Sequence, residues 1–192
     1  MSLATTVTVA EYLEFERNSE LRHEFFQGEM REMTGGTLEH IIVIMNLGYA
    51  LQNQLPESDF LVVTNEMRVK VNLSGLYAYP DVIIVKGQAE LEDESRDTLL
   101  NPIVLMEVLS DSTEKYDRGE KFSLYQGIPS FQEYVLVAQN RPEIDQFVRD
   151  KSGTWQRHVY RSLSDNLKLQ SVPCSIPLTT IYKKIRFAAE TS

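Results

Sequence analysis

From residue 102 to 109 the chain reads Pro-Ile-Val-Leu-Met-Glu-Val-Leu, an apolar run interrupted once, at Glu107. With Asn101 before it and Ser110-Asp111-Ser112 after it, this run predicts a buried central strand. A second apolar run, Val82-Ile83-Ile84-Val85, follows directly on Pro80-Asp81 and predicts another strand. The period changes between residues 38 and 55. There Ile41, Ile44, Met45, Gly48 and Leu51 fall on one stripe, which predicts a long helix opened by Thr37 and closed before Pro56.

The remaining elements follow from the same reading. Thr8-Val9-Ala10-Glu11 has the spacing of a capping box and predicts a helix to about Arg17. Residues 21–27 and 29–33 flank Gly28 as a hairpin, with Glu24 in its first strand. Strands are expected at 60–65 and 67–72, the latter alternating Arg68 and Lys70 with apolar residues. Residues 88–100 are acid-rich and predict an exposed connection. A helix is expected over 113–126, closed by Gly127-Ile128-Pro129. Beyond it come a strand at 133–137, a hairpin of 144–150 with 154–161, a strand at 167–172 and a short helix from Pro177. The fold class is α+β, with a mixed central β-sheet flanked by helices, in one domain spanning residues 1–192.

Two acids stand where acids are expensive. A carboxylate inside an apolar strand costs several kcal/mol to desolvate unless something pairs with it. Glu107 is in that position, and Asp81 stands at the head of its own apolar run. Two such carboxylates on adjacent strands suggest a shared hard cation, and a nearby lysine, Lys121, can stabilise negative charge developing on a phosphoryl group.

Composition narrows the setting. The formal charge of −9 and pI near 4.9 lower the expectation of tight, non-specific nucleic-acid binding, which draws on basic surface. One cysteine, Cys174, allows no internal disulfide and fits a reducing cytoplasm. The N-terminus lacks the basic start and apolar core of a signal peptide, and no apolar run approaches a membrane span. A cytoplasmic protein without a membrane partner is expected.

Pro80-Asp81 followed by Glu107-Val108-Leu109 resembles the PD-(D/E)XK nuclease signature. The wider string, YPDVIIV and then NPIVLMEVLSDSTEKYDRGEKFSLYQGIPSFQEYVLV, resembles the Uma-type family of bacterial restriction-endonuclease-like domains. The likeness runs from the N-terminal helix to the final hairpin. It implies a restriction endonuclease-like fold and Mg²⁺- or Mn²⁺-dependent cleavage of nucleic acid, with DNA the expected substrate and a homodimer the expected assembly. Asp81 and Glu107 would hold the metal, Lys121 would stabilise charge, and Glu24 and His40 would border the cleft and assist. One departure matters: the superfamily places its lysine two residues after the second acid, and Leu109 stands there. The resemblance moves that role to Lys121 in the following helix.

Each residue has a plainer rival. Asp81 can cap a turn after Pro80, and Glu107 can form a structural ion pair. Lys121 can make a surface pair with Asp117, four residues earlier. His40 can be a packed helix histidine, and Glu24 can face solvent. Arg68 and Lys70 can form a solvated strand face or meet phosphates. The rival function is a nuclease-fold binding or assembly module without turnover.

Overall fold

A computed structural model describes residues 6–187. The signal-peptide reading of the first residues and both ends of the 1–192 domain assignment reach outside that range. Chain order is α1 (Val9–Asn18), β1 (His23–Phe26), β2 (Glu29–Glu32), α2 (Leu38–Gln54), β3 (Phe60–Thr64), β4 (Arg68–Val71), β5 (Leu76–Ala78), β6 (Val82–Lys86), β7 (Thr98–Leu99) and β8 (Pro102–Leu109). There follow α3 (Glu114–Tyr116), a π-helical turn (Asp117–Lys121) and α4 (Phe122–Tyr125). The chain continues through β9 (Glu133–Ala138), β10 (Ile144–Arg149), β11 (Trp155–Tyr160), β12 (Asn166–Lys168), β13 (Ser175–Pro177) and α5 (Leu178–Ile181).

The two apolar runs flanking the acids lie side by side. A six-stranded mixed sheet has the order β11-β10-β9-β8-β6-β3, parallel between β8 and β9 and antiparallel elsewhere. Its strands alternate between two cores, as a period of two requires. Val82, Ile84, Val104 and Met106 face Val43, Ile44, Leu47 and Leu51 of α2. Ile83, Val85 and Leu105 face the other way, toward Val69, Leu76, Tyr125 and Phe131. That second core is shared with a five-stranded sheet, β2-β1-β5-β4-β7. The Thr8–Glu11 capping box forms as expected, with Glu11 Oε2 accepting from the Thr8 N–H at 2.8 Å. Among the described residues, no helix is long and apolar enough to cross a membrane.

Four expectations change. α2 buries Val43, Ile44, Leu47, Ala50 and Leu51, while Ile41 and Met45 of the expected stripe face outward. The helix is apolar on nearly every side, so periodicity alone could not choose its buried face. Within the expected exposed connection, Thr98 and Leu99 are buried and pair in parallel with β4. Arg68 therefore neither faces solvent nor meets a phosphate: it is buried 2.7 Å from Asp97 and donates to Thr98. Lys70 pairs with Glu92 on the same connection. The expected helix over 113–126 is a composite, broken by the π turn. Such turns insert one residue into an α-helix and re-aim the side chains after it.

Candidate functional site

The strand register brings the two acids together. Val82 pairs with Met106 and Ile83 with Leu105 in antiparallel β6 and β8. One step further along that register, Asp81 stands opposite Glu107, on the face that carries Ile83 and Leu105. Asp81 lies just outside β6, where its carbonyl still accepts from the Asn65 N–H at 3.0 Å. Its Oδ2 accepts from the Val108 N–H at 2.7 Å, which fixes the carboxylate against β8.

His40, near the start of α2, presents Nε2 to Asp81 Oδ1 at 3.2 Å. The other ring nitrogen, Nδ1, is buried with no hydrogen bond among the described residues. Burial opposes protonation of the ring, but the bond to Asp81 and that group's charge outweigh it and hold the His40 pKa above its ordinary value. The ring fits because Gly36 is glycine: a Cβ there would lie 2.6 Å from His40 Cδ2. Thr37 caps α2 by accepting from the His40 N–H at 3.2 Å, so the Gly35-Gly36-Thr37 segment both starts the helix and clears room for its histidine.

Lys121 is buried, and its Nζ lies 2.8 Å from Glu24 Oε1, 3.0 Å from Glu107 Oε1 and 3.4 Å from Asp117 Oδ1. The lysine does pair with Asp117 at i,i+4, but both are buried, so the surface pair is replaced by an interior cluster. Glu107 also accepts at Oε1 from the Tyr125 hydroxyl at 3.1 Å, and Tyr134 donates to the Asp117 carbonyl at 3.2 Å. Three carboxylates thus surround one ammonium. Burial disfavours charge on Lys121, yet Glu107, Tyr125, Glu24 and Asp117 outweigh it and raise its pKa well above the usual value. Burial raises Glu107 strongly as well, with Lys121 opposing and Asp117 and Asp81 adding to the rise. Asp117 is raised for the same leading reason. The leading cause for both acids is burial, with the neighbouring carboxylates adding to it and the Lys121 ammonium opposing it.

These groups line one cleft of about 450 Å³, together with Arg31, Tyr116, Val108 and the segments 33–37 and 110–113. All five residues singled out in the sequence (Asp81, Glu107, Lys121, Glu24 and His40) border it. Gln126, which follows Lys121 at helical spacing, is exposed and does not line the cleft. Two participants were overlooked in functional roles. Asp117 reads as a surface helix residue and Arg31 as one charge in a polar hairpin. Only Asp117 carried a signal, its i,i+4 spacing to Lys121.

The donors suit a hard cation. Asp81 meets His40 through Oδ1 and the Val108 N–H through Oδ2, and Glu107 spends Oε1 on Lys121 and Tyr125, leaving Oε2 without a hydrogen bond among the described residues. No three His, Cys, Asp or Glu side chains form a ready cage among the described residues. A two-carboxylate set fits Mg²⁺, which keeps several waters and uses one or two protein carboxylates with substrate phosphate.

Known proteins provide three comparisons. The Uma2 family model, "Putative restriction endonuclease", matches residues 9–180. Two uncharacterized proteins of Synechocystis sp. are similar over most of their length. The protein slr1290 is 32% identical over 177 residues, covering 92% of each chain. The protein sll1609 is 31% identical over 157 residues, covering 81% of this chain and 89% of its own. A crystal structure of a "putative nuclease belonging to DUF820" from Anabaena variabilis superposes with a TM-score of 0.75. It shares 12% identity and covers 92% of this chain and 97% of its own. This likeness shows a shared fold.

Proposed function

The chain belongs to the Uma2 family of putative restriction endonucleases, and from that premise we propose that it is a Mg²⁺- or Mn²⁺-dependent endonuclease of the PD-(D/E)XK type, hydrolysing phosphodiester bonds of DNA in the cytoplasm. The observation that carries this reading is the pairing of Asp81 and Glu107 on one face of adjacent strands, with the Lys121 ammonium 3.0 Å from Glu107.

In this reading Asp81 and Glu107 hold the cation through carboxylate oxygens. When bound, Mg²⁺ polarises the phosphoryl oxygen and makes water a better nucleophile. The Val108 N–H and the His40 ring orient Asp81 from two sides. Lys121 is kept protonated by its three carboxylates and donates toward the charge that develops on the phosphoryl group. Glu24 and Asp117 hold the ammonium in place and leave it little freedom to turn away. The surplus of acids in the cleft opposes an approaching phosphate, and a cation held by Asp81 and Glu107 would offset that charge.

The test is fluorescence anisotropy with a labelled duplex at fixed ionic strength, with and without Ca²⁺, on the wild type and on Asp81→Asn/Glu107→Gln. Tighter binding with Ca²⁺, lost in the double variant, together with cleavage in Mg²⁺ or Mn²⁺, is the expected result. Affinity that ignores Ca²⁺, with no cleavage, would favour the binding module without turnover.

The same reading makes the enzyme a homodimer, since cutting both strands calls for two sites. Leu38, Ile41, Met45 and Tyr49 of α2 are 68%, 46%, 66% and 71% exposed on one face of the helix. Glu39 is the only charged residue in α2, so two copies of a −9 chain can approach there without strong repulsion. Light scattering on Met45→Glu/Tyr49→Glu is expected to give monomers where the wild type gives dimers.

A further inference from the structure

Among the described cleft-lining residues, the basic side chains are His40, Lys121 and Arg31. The first two are already committed, His40 to Asp81 and Lys121 to Glu24, Glu107 and Asp117. Arg31 differs from both. Among the described residues no carboxylate lies within salt-bridge distance of it, whereas Arg17, Arg68, Arg118 and Arg141 all have such partners. Its cross-strand partner in the β1–β2 ladder is Glu24, but the Glu24 carboxylate turns to Lys121. The Arg31 guanidinium instead lies over the Tyr116 ring, 5.3 Å from the centroid, and Lys121 Nζ is 5.8 Å from the same centroid.

We propose that Arg31, laid against Tyr116, is the phosphate-binding residue of the cleft, taking a backbone phosphate of a bound polynucleotide next to the one held at the acids. This rests on the nuclease reading and adds to it the contact that positions the strand. A planar fork of N–H donors suits a phosphate, and the ring limits the freedom that a solvent-exposed arginine would otherwise lose on binding. Arg31 is exposed on β2, so it reaches a ligand without breaking a buried pair. Among the described residues it is the one cleft cation whose engagement with an anion costs no carboxylate its partner.

The experiment titrates a labelled DNA duplex in Ca²⁺ over a salt series, with Arg31→Ala, Arg31→Lys, Tyr116→Leu and Tyr116→Phe, and measures Ca²⁺ affinity of each by calorimetry. Arg31→Ala is expected to bind the duplex about tenfold more weakly, about 1.4 kcal/mol. The slope of log affinity against log salt should become shallower by about 0.9, the loss of one phosphate contact. Ca²⁺ affinity should stay unchanged. Arg31→Lys should retain most of the slope, and Tyr116→Phe should restore what Tyr116→Leu loses. Wild-type affinity and slope in Arg31→Ala would overturn this inference and leave the nuclease reading intact. A wild type that does not bind the duplex in Ca²⁺ would overturn both.

Discussion

The ammonium of Lys121 lies 3.0 Å from Oε1 of Glu107, although one residue comes from a π-helical turn and the other from the middle of a buried strand. The position two residues after Glu107, where the superfamily pattern has its lysine, holds the buried Leu109. The charge beside the second acid is therefore supplied from another element. The π turn also carries Asp117, so the lysine and one of its anchoring carboxylates arrive together.

Removing that cation should expose the cost of three buried acids. Lys121→Met is expected to destabilise the fold by about 3–5 kcal/mol, the usual penalty for breaking a buried charge network from one side. Adding Glu107→Gln should recover part of the loss, because one of the stranded charges is then neutral. Denaturant unfolding of the two variants measures both effects. No recovery would mean that Lys121 acts on stability independently of Glu107.

Turnover should respond to Lys121 more than metal binding does. Lys121→Ala is expected to lower phosphodiester cleavage by about 10²–10³-fold, as loss of a donor to a developing anion does elsewhere. Ca²⁺ affinity by calorimetry should change far less, since the proposed donors are Asp81 and Glu107. Circular dichroism confirms that the variant assayed is folded. Equal losses in both quantities would argue for a metal-holding role and against charge stabilisation.

Gly36 and His40 should be coupled. A methyl group at residue 36 would press on the imidazole, so Gly36→Ala is expected to cost about 1 kcal/mol or more through overpacking. In a His40→Ala background the same substitution should cost little. A double-mutant cycle by thermal melting reads the difference. Additive effects would remove Gly36 from the support of the histidine.

Acid stability should depend on Asp97. Hydrogen bonds from Arg17 lead in lowering its pKa below the ordinary 3.8, burial opposes them, and Arg68 and Thr98 add to the lowering. A depressed carboxylate contributes stability that is present above the unfolded-state pKa and lost as pH falls through the folded one. The advantage of wild type over Asp97→Asn should thus hold steady from neutral pH to about 4 and shrink below it. Urea unfolding at a series of pH values tests this. An advantage independent of pH would mean that Asp97 acts by shape and not by charge.

Local chemistry alone determined much of this protein. The capping box at Thr8, the apolar runs around Asp81 and Glu107, and the hairpin of β10 with β11 depend on neighbours in sequence, and each formed close to its expected bounds. The cost of placing an acid in an apolar strand marked Glu107 before any partner was known. Tertiary structure decided what periodicity leaves degenerate. α2 is apolar on most sides, so only packing against β6 and β8 selected Val43, Leu47 and Leu51 over Ile41 and Met45. Arg68 reads as a surface cation because nothing local shows that Thr98, in another strand of its sheet, and Asp97 just before that strand will cover it. The cluster around Lys121 was hidden for the same reason. Glu24, Glu107 and Asp117 come from a hairpin, a central strand and a helical turn, and only the folding of those elements onto one another sets three charges around a fourth.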